Sequence, residues 1–177
     1  GPLASQPTMF RFEHRIDPKT LVRLGRLQVD LFIRSYKKAP ETVILDFDDT
    51  EDQTYGSQQL SMFNAYYGSV CYQPMHAYEG KSGKLVATIL RPGKRPTGKE
   101  IAKMIRRIVR LIKKAWPEVN IIIRGDSHYG CLEVYDICKE FNMQFVLGLT
   151  SNSILQKSVA DIKKRAEALF EHDPKAF

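Results

Sequence analysis

Residues 42–48, Thr-Val-Ile-Leu-Asp-Phe-Asp, constrain the fold more than any other stretch. The run is short and rich in β-branched and aromatic residues, so it reads as a strand. Side chains alternate along a strand, which puts Asp46 and Asp48 on one face while Leu45 and Phe47 point into the other layer. Two carboxylates sharing a face repel each other unless a cation or a proton lies between them. Hard oxygen ligands of this kind suit Mg²⁺ or Mn²⁺. The plainer reading is a strand running out into a solvated acidic turn, since Asp49, Glu51 and Asp52 continue the run.

A second acid stands in a comparable position. Asn120–Arg124 (NIIIR) is an uninterrupted apolar strand, expected to be buried on both faces. It leads into Gly125-Asp126-Ser127-His128-Tyr129-Gly130. An Asp at the C-terminal end of a buried strand sits where open α/β sheets place their ligands. Alone, the motif is equally a turn whose Asp caps the next helix. Paired with Asp46 and Asp48 on a neighbouring strand, it becomes a constellation of carboxylates.

The elements between and around these motifs set the fold class. Asp17-Pro18 is a helix start, and Leu21, Leu24, Leu27, Leu31 and Phe32 follow at helical spacing up to Pro40. Residues 70–78 and 85–90 read as strands joined by the turn Glu79–Lys84, which makes a hairpin. Thr97 caps a long helix reaching Trp116, with Ile101, Met104, Ile105, Ile108, Leu111 and Ile112 on one face and a row of Lys and Arg on the other. A helix over 130–141, a strand over 144–149 and a helix over 153–170 complete the chain. Three early antiparallel strands followed by alternating helices and strands predict a mixed α/β sheet of RNase H-like order, with helices on both faces and an N-terminal helical segment. The expected divisions are a cleaved-tag remnant at 1–5, a helical segment at 6–40, the core at 41–152 and a helix at 153–177 leading into an insertion.

Composition points to a polyanionic partner, which by charge alone is equally DNA, RNA or an anionic membrane. The 177 residues carry a net charge of +7, which favours a polyanionic partner. Three cysteines, an odd number with no C-x-x-C pair, argue against a disulfide framework or a zinc knuckle and favour a reducing compartment. No apolar run approaches a membrane span, and no small-molecule cofactor motif is present. Arg91, Lys94 and Arg95, beside a Gly-Pro turn, are the best-placed phosphate contacts. Lys99 on the basic helix face, Arg124 and His128 are further candidates.

At these residues the chain resembles bacterial insertion-sequence transposases of the DDE class. The likeness runs through LDFDDTEDQTYGSQQ, NAYYGSVCYQPMHAYEG, ATILRPGK, WPEVNIIIRGDSHYG and FVLGLTSNS. It implies that Asp48, in a D-x-T setting, is the first catalytic acid, with Asp46 the lesser choice, and that Asp126 is the second. The third would be a Glu on a later helix, beyond an insertion that the sequence stops short of, with Asp161 or Glu167 a weak substitute. Cleavage and strand transfer of transposon-end DNA are implied, by two-metal phosphoryl transfer in which Asp48 bridges two Mg²⁺ or Mn²⁺ ions and Asp126 binds one. Alone, the stretch is expected to bind metal weakly and to be inactive. The resemblance also implies paired transposon ends and target DNA as partners, a homodimer, and a cytoplasmic, nucleoid-associated setting.

Two rivals remain. VILDFDDT also fits the D-x-D-x-T motif of haloacid dehalogenase-type phosphatases, with Asp46 as nucleophile and Asp48 as acid/base. Against this, the late motif has Gly at position 130 where a second Asp is usual, and the hairpin suits a mixed sheet better than a parallel one. A non-catalytic DNA-binding or oligomerisation fragment is the third reading.

Overall fold

The computed structural model describes residues 4–172. Most of the expected tag remnant and the last five residues of the 153–177 stretch lie outside them. Ser5 is the N-cap of the first helix, α1 (Gln6–Glu13). The second, α2 (Pro18–Arg34), begins where Asp17 Oδ1 accepts the Thr20 amide at 2.6 Å.

Five strands form the main sheet: β1 (Thr42–Asp49), β5 (Met75–Glu79), β6 (Leu85–Ile89), β7 (Asn120–Gly125) and β8 (Gln144–Leu147), in the order β6-β5-β1-β7-β8. β5 is antiparallel to both β1 and β6, while β7 runs parallel to β1 and β8 parallel to β7. Within this sheet the third, second, first, fourth and fifth strands follow one another, which is the RNase H-like arrangement expected from the sequence. A smaller antiparallel sheet, β2 (Asp52–Gln53), β4 (Ser69–Tyr72) and β3 (Met62–Asn64), fills the connection from β1 to β5 in the order β2-β4-β3. The single strand expected over 70–78 is therefore two. Pro74 lies at the break, and a proline has no N–H to donate to a ladder.

The core lies on one face of the main sheet. Val43, Leu45, Phe47, Met75, Ala77, Ile121 and Ile123 point into it, opposite Ile101, Ile105, Ile108 and Ile112 of α3 (Gly98–Ala115) and Val134 and Ile137 of α4 (Leu132–Glu140). α3 starts on a capping box in which Thr97 and Glu100 exchange bonds. The opposite face carries Ile44, Asp46, Asp48, His76, Tyr78, Ile122 and Arg124, all half-buried or exposed.

Three sequence expectations shift here. Burial alternates along β7 instead of covering both of its faces. Of the two helical layers expected, the described residues supply one, because α5 (Ser153–His172) has no buried residue. On α2, Val29 and Phe32 are buried while Leu21, Leu24, Leu27 and Leu31 are exposed. At 100° per residue, Leu24, Leu27 and Leu31 form a stripe turned away from Val29 and Phe32. α2 packs on β6 and α3 through the latter arc. Among the described residues no helix is long and apolar enough to cross a membrane.

Candidate active site at the ends of two parallel strands

Strand register brings the first two acids expected from the sequence to neighbouring backbone positions. β1 and β7 pair in parallel from Thr42↔Asn120 up to Phe47↔Gly125. One residue further along each strand come Asp48 and Asp126, at neighbouring backbone positions with strands about 4.8 Å apart. Phe47 is buried in the core, so alternation turns Asp48 to the opposite, open face, where it is exposed. Asp126 is exposed as well, and its Oδ1 accepts the His128 amide at 2.9 Å, a tight turn that fixes the carboxylate just past the strand. Asp48 Oδ1 accepts the Asp49 amide at 3.0 Å. Across the antiparallel pairing, Asp48 lies opposite His76, whose Nδ1 is 3.1 Å from Thr88 Oγ1.

Asp46 is engaged elsewhere. Arg124, its register partner on β7, reaches both of its oxygens, Nε to Oδ1 and Nη2 to Oδ2, each at 2.5 Å. Such a two-pronged pair satisfies the carboxylate and the guanidinium together. Gly80 closes over it: a Cβ there would come within 2.7 Å of Arg124 Nη2 and 2.9 Å of Asp46 Oδ2. This arrangement counts against two expectations. Asp46 is held by a cation of the protein rather than open as a metal ligand, and Arg124 is turned onto Asp46 rather than free for DNA. It also counts against Asp46 as a phosphatase nucleophile, as does an antiparallel strand beside β1.

The acid that the sequence assigned to a solvated turn is the most buried of the run. Asp49 points inward with its side chain 8% exposed, and Arg91 Nη2 lies 2.6 Å from its Oδ1. The Tyr129 hydroxyl donates to the same oxygen at 2.9 Å, and His128 Nδ1 is 2.8 Å from Oδ2. Burial opposes the charge on Asp49, but His128, the positive charge of Arg91 and the Tyr129 hydroxyl outweigh it and hold the carboxyl below its ordinary range. The same surroundings act oppositely on Tyr129: burial, then the charge of Asp49, push its hydroxyl far up, so it remains a donor. Gly125 makes room for this. A Cβ there would be 2.9 Å from the Tyr129 ring, which folds back beneath the strand end.

Arg91 and His128, expected as DNA contacts, are thus directed into the protein. Lys94, Arg95 and Lys99 are exposed, as a phosphate-facing group must be. No local pattern in the sequence signals the Asp49 cluster, whose members come from three separate segments. Among the described residues, no group of three or more His, Cys, Asp and Glu side chains is gathered to hold a metal. Asp48 and Asp126, at neighbouring backbone positions, each carry an exposed carboxylate, the donor type that suits Mg²⁺ or Mn²⁺.

Residues 1–174 match the family described as transposase DDE domain group 1. No curated protein sequence matches the chain. Among solved structures, the catalytic domain of Mos1 mariner transposase aligns with a TM-score of 0.44 and 13% identity, over 79% of this chain and 64% of that one. The HTLV-2 integrase catalytic core domain in complex with magnesium aligns with 0.42 and 14%, over 77% and 75%. The piggyBac transposase synaptic complex with hairpin DNA gives 0.47 and 15%, over 84% and 34%. The chain thus spans less than two thirds of the Mos1 domain.

Proposed function

From the premise that the chain belongs to the transposase DDE domain group 1 family, we propose that it is the part of a DNA transposase core that carries the first two catalytic acids, Asp48 and Asp126. The observation that supports this reading is the parallel register of β1 and β7, which runs to Phe47↔Gly125 and leaves Asp48 and Asp126 as the next residue on each strand.

Both residues would hold a divalent ion, Mg²⁺ or Mn²⁺, with further ligands coming from water, substrate phosphate or another acid. Bound there, the ion supplies positive charge against the reacting phosphate. The chain's own residues do the positioning. The His128 amide orients Asp126, and the Asp46–Arg124 pair beside Asp48 keeps a third carboxylate from competing for the ion. Lys94, Arg95 and Lys99 would take the backbone phosphates of transposon-end DNA, while Arg91, Arg124 and His128 face carboxylates of the protein itself. The complete protein would cleave and rejoin transposon ends, as a dimer on paired ends.

The test is nicking of the DNA ends that flank the element's own gene, by the full-length transposase in Mn²⁺. Asp48→Asn and Asp126→Asn should each abolish nicking while DNA is still bound, whereas Asp46→Asn should leave more than a tenth of the rate. Undiminished nicking by Asp48→Asn would refute the assignment. DNA binding with no nicking by the wild type would leave a passive binder instead.

A further inference from the structure

Asp49 joins the two segments that carry the candidate acids. It directly follows Asp48 on β1, and it is met from the other side by His128 and Tyr129, two and three residues past Asp126. Arg91, just after β6, closes the third side of the same carboxylate. His128 acts twice: its amide holds Asp126 Oδ1 at 2.9 Å, and its ring lies 2.8 Å from Asp49 Oδ2. A short path of polar contacts therefore runs from the Asp48–Asp49 backbone through the Asp49 carboxylate and the His128 ring and amide to the Asp126 carboxylate.

β1 and β7 are paired only up to Phe47↔Gly125, so the ladder does not hold the next two positions together. The turn at 126–130 is backed by Gly148, where an added Cβ would lie 2.7 Å from Ser127 N and 3.0 Å from Asp126 C, but its tie to β1 past the ladder must come from elsewhere. The cluster supplies that tie from the core side, where Asp49 is 8% and His128 15% exposed, and low exposure strengthens each contact.

We propose that Asp49 is a positioning residue that, through His128 and Tyr129, sets the distance between the Asp48 and Asp126 carboxylates and so the fit of the pair to a divalent ion. The proposal rests on the metal-holding role of Asp48 and Asp126 proposed for the active site. Asp49 itself points into the core and touches neither ion nor DNA. Groups that support metal ligands from behind commonly contribute a factor of about 10–100 in metal affinity.

The test uses the isotopically labelled 177-residue chain and reads Mn²⁺ binding from paramagnetic broadening of individual amide resonances. His128→Ala/Tyr129→Phe cuts the strap while leaving every carboxylate and the Asp49–Arg91 pair in place. Tyr129→Phe alone serves as a milder second variant that retains the ring. Phe32→Leu, whose ring packs on Trp116 at the opposite end of the sheet, is the control for general loss of stability. Wild type and Phe32→Leu should broaden around both Asp48 and Asp126 at the same Mn²⁺ concentrations. The double variant should need about tenfold more Mn²⁺, and Tyr129→Phe an intermediate amount, with broadening near Asp126 weakened more than near Asp48. If the strap variants bind like wild type, or if Phe32→Leu loses affinity equally, Asp49 is only structural and the proposal falls while the metal site stands. If wild-type broadening does not depend on Asp48 and Asp126, the metal site falls and the proposal with it.

Discussion

The Tyr129 hydroxyl donates to Asp49 Oδ1 at 2.9 Å, and Arg91 shares that oxygen at 2.6 Å. Both Arg91 and Asp49 side chains are at most 9% exposed, so each relies on the other for its charge. Truncating one partner of a buried pair strands the other, at about 3–5 kcal/mol, whereas replacing both by apolar groups is often neutral. Asp49→Ala should therefore lower stability by about that amount in urea unfolding, and Asp49→Ala/Arg91→Met should recover most of it. Equal loss in both variants would contradict the pairing.

Gly125 is needed for space rather than flexibility. An added Cβ would lie 2.9–3.1 Å from three atoms of the Tyr129 side chain, whose ring is buried. Gly125→Ala should cost about 1–3 kcal/mol by crowding, and thermal unfolding should show it. Gly56 is the converse case: a Cβ there would meet nothing within 4 Å, but its φ is +87°, so substitution should act through backbone strain instead.

Glu79 gives the fold an acid-sensitive contact on the buried side of β5. It is 2% exposed, and it accepts the Ser82 amide at 2.7 Å and the Ser82 hydroxyl at 2.6 Å. Burial raises its pKa, but the bonds from Ser82 prevail and the net shift is downward. A carboxyl with a lower folded than unfolded pKa adds stability that is complete above the unfolded value, about 4.3, and that is lost as pH falls through the folded one. Glu79→Gln should thus be less stable than wild type at pH 7, with the gap closing below about pH 4. A gap unchanged from pH 7 down to acid unfolding would contradict this.

Salt dependence separates surface cations from committed ones. Lys94, Arg95 and Lys99 are exposed, whereas Arg124 is held by Asp46. Changing all three to Ala should flatten the slope of log affinity for duplex DNA against log salt by about 2–3. Arg124→Ala should change it by less than about 1. The reverse ranking would move the DNA surface to the Arg124 side of the sheet.

Much of this fold was legible in the sequence because its signals are periodic. The split of α3 into an apolar and a basic face, the Thr97 cap, the hairpin and the strand order all follow from local pattern. The neighbouring backbone positions of Asp48 and Asp126 were legible because each stands at the end of an apolar strand, and position along a strand survives in sequence. What did not survive was the inward turn of Asp49. Five acids between 46 and 52 look like a solvated run, and only strand alternation combined with Arg91, His128 and Tyr129 from elsewhere reveals one of them as buried. The leucines of α2 misled for the opposite reason: helical spacing shows that a stripe exists, not which stripe a neighbour covers. Likewise Asp46 looked like a metal ligand until its register partner proved to be an arginine.

A Mn²⁺-soaked crystal of the chain, read by anomalous scattering, tests the central claim most directly. The expected result is a peak shared by the Asp48 and Asp126 carboxylates at about 2.0–2.2 Å from each, with Asp46 still on Arg124. A peak on Asp46, or carboxylates of Asp48 and Asp126 directed apart with no shared ion at saturating Mn²⁺, would contradict it.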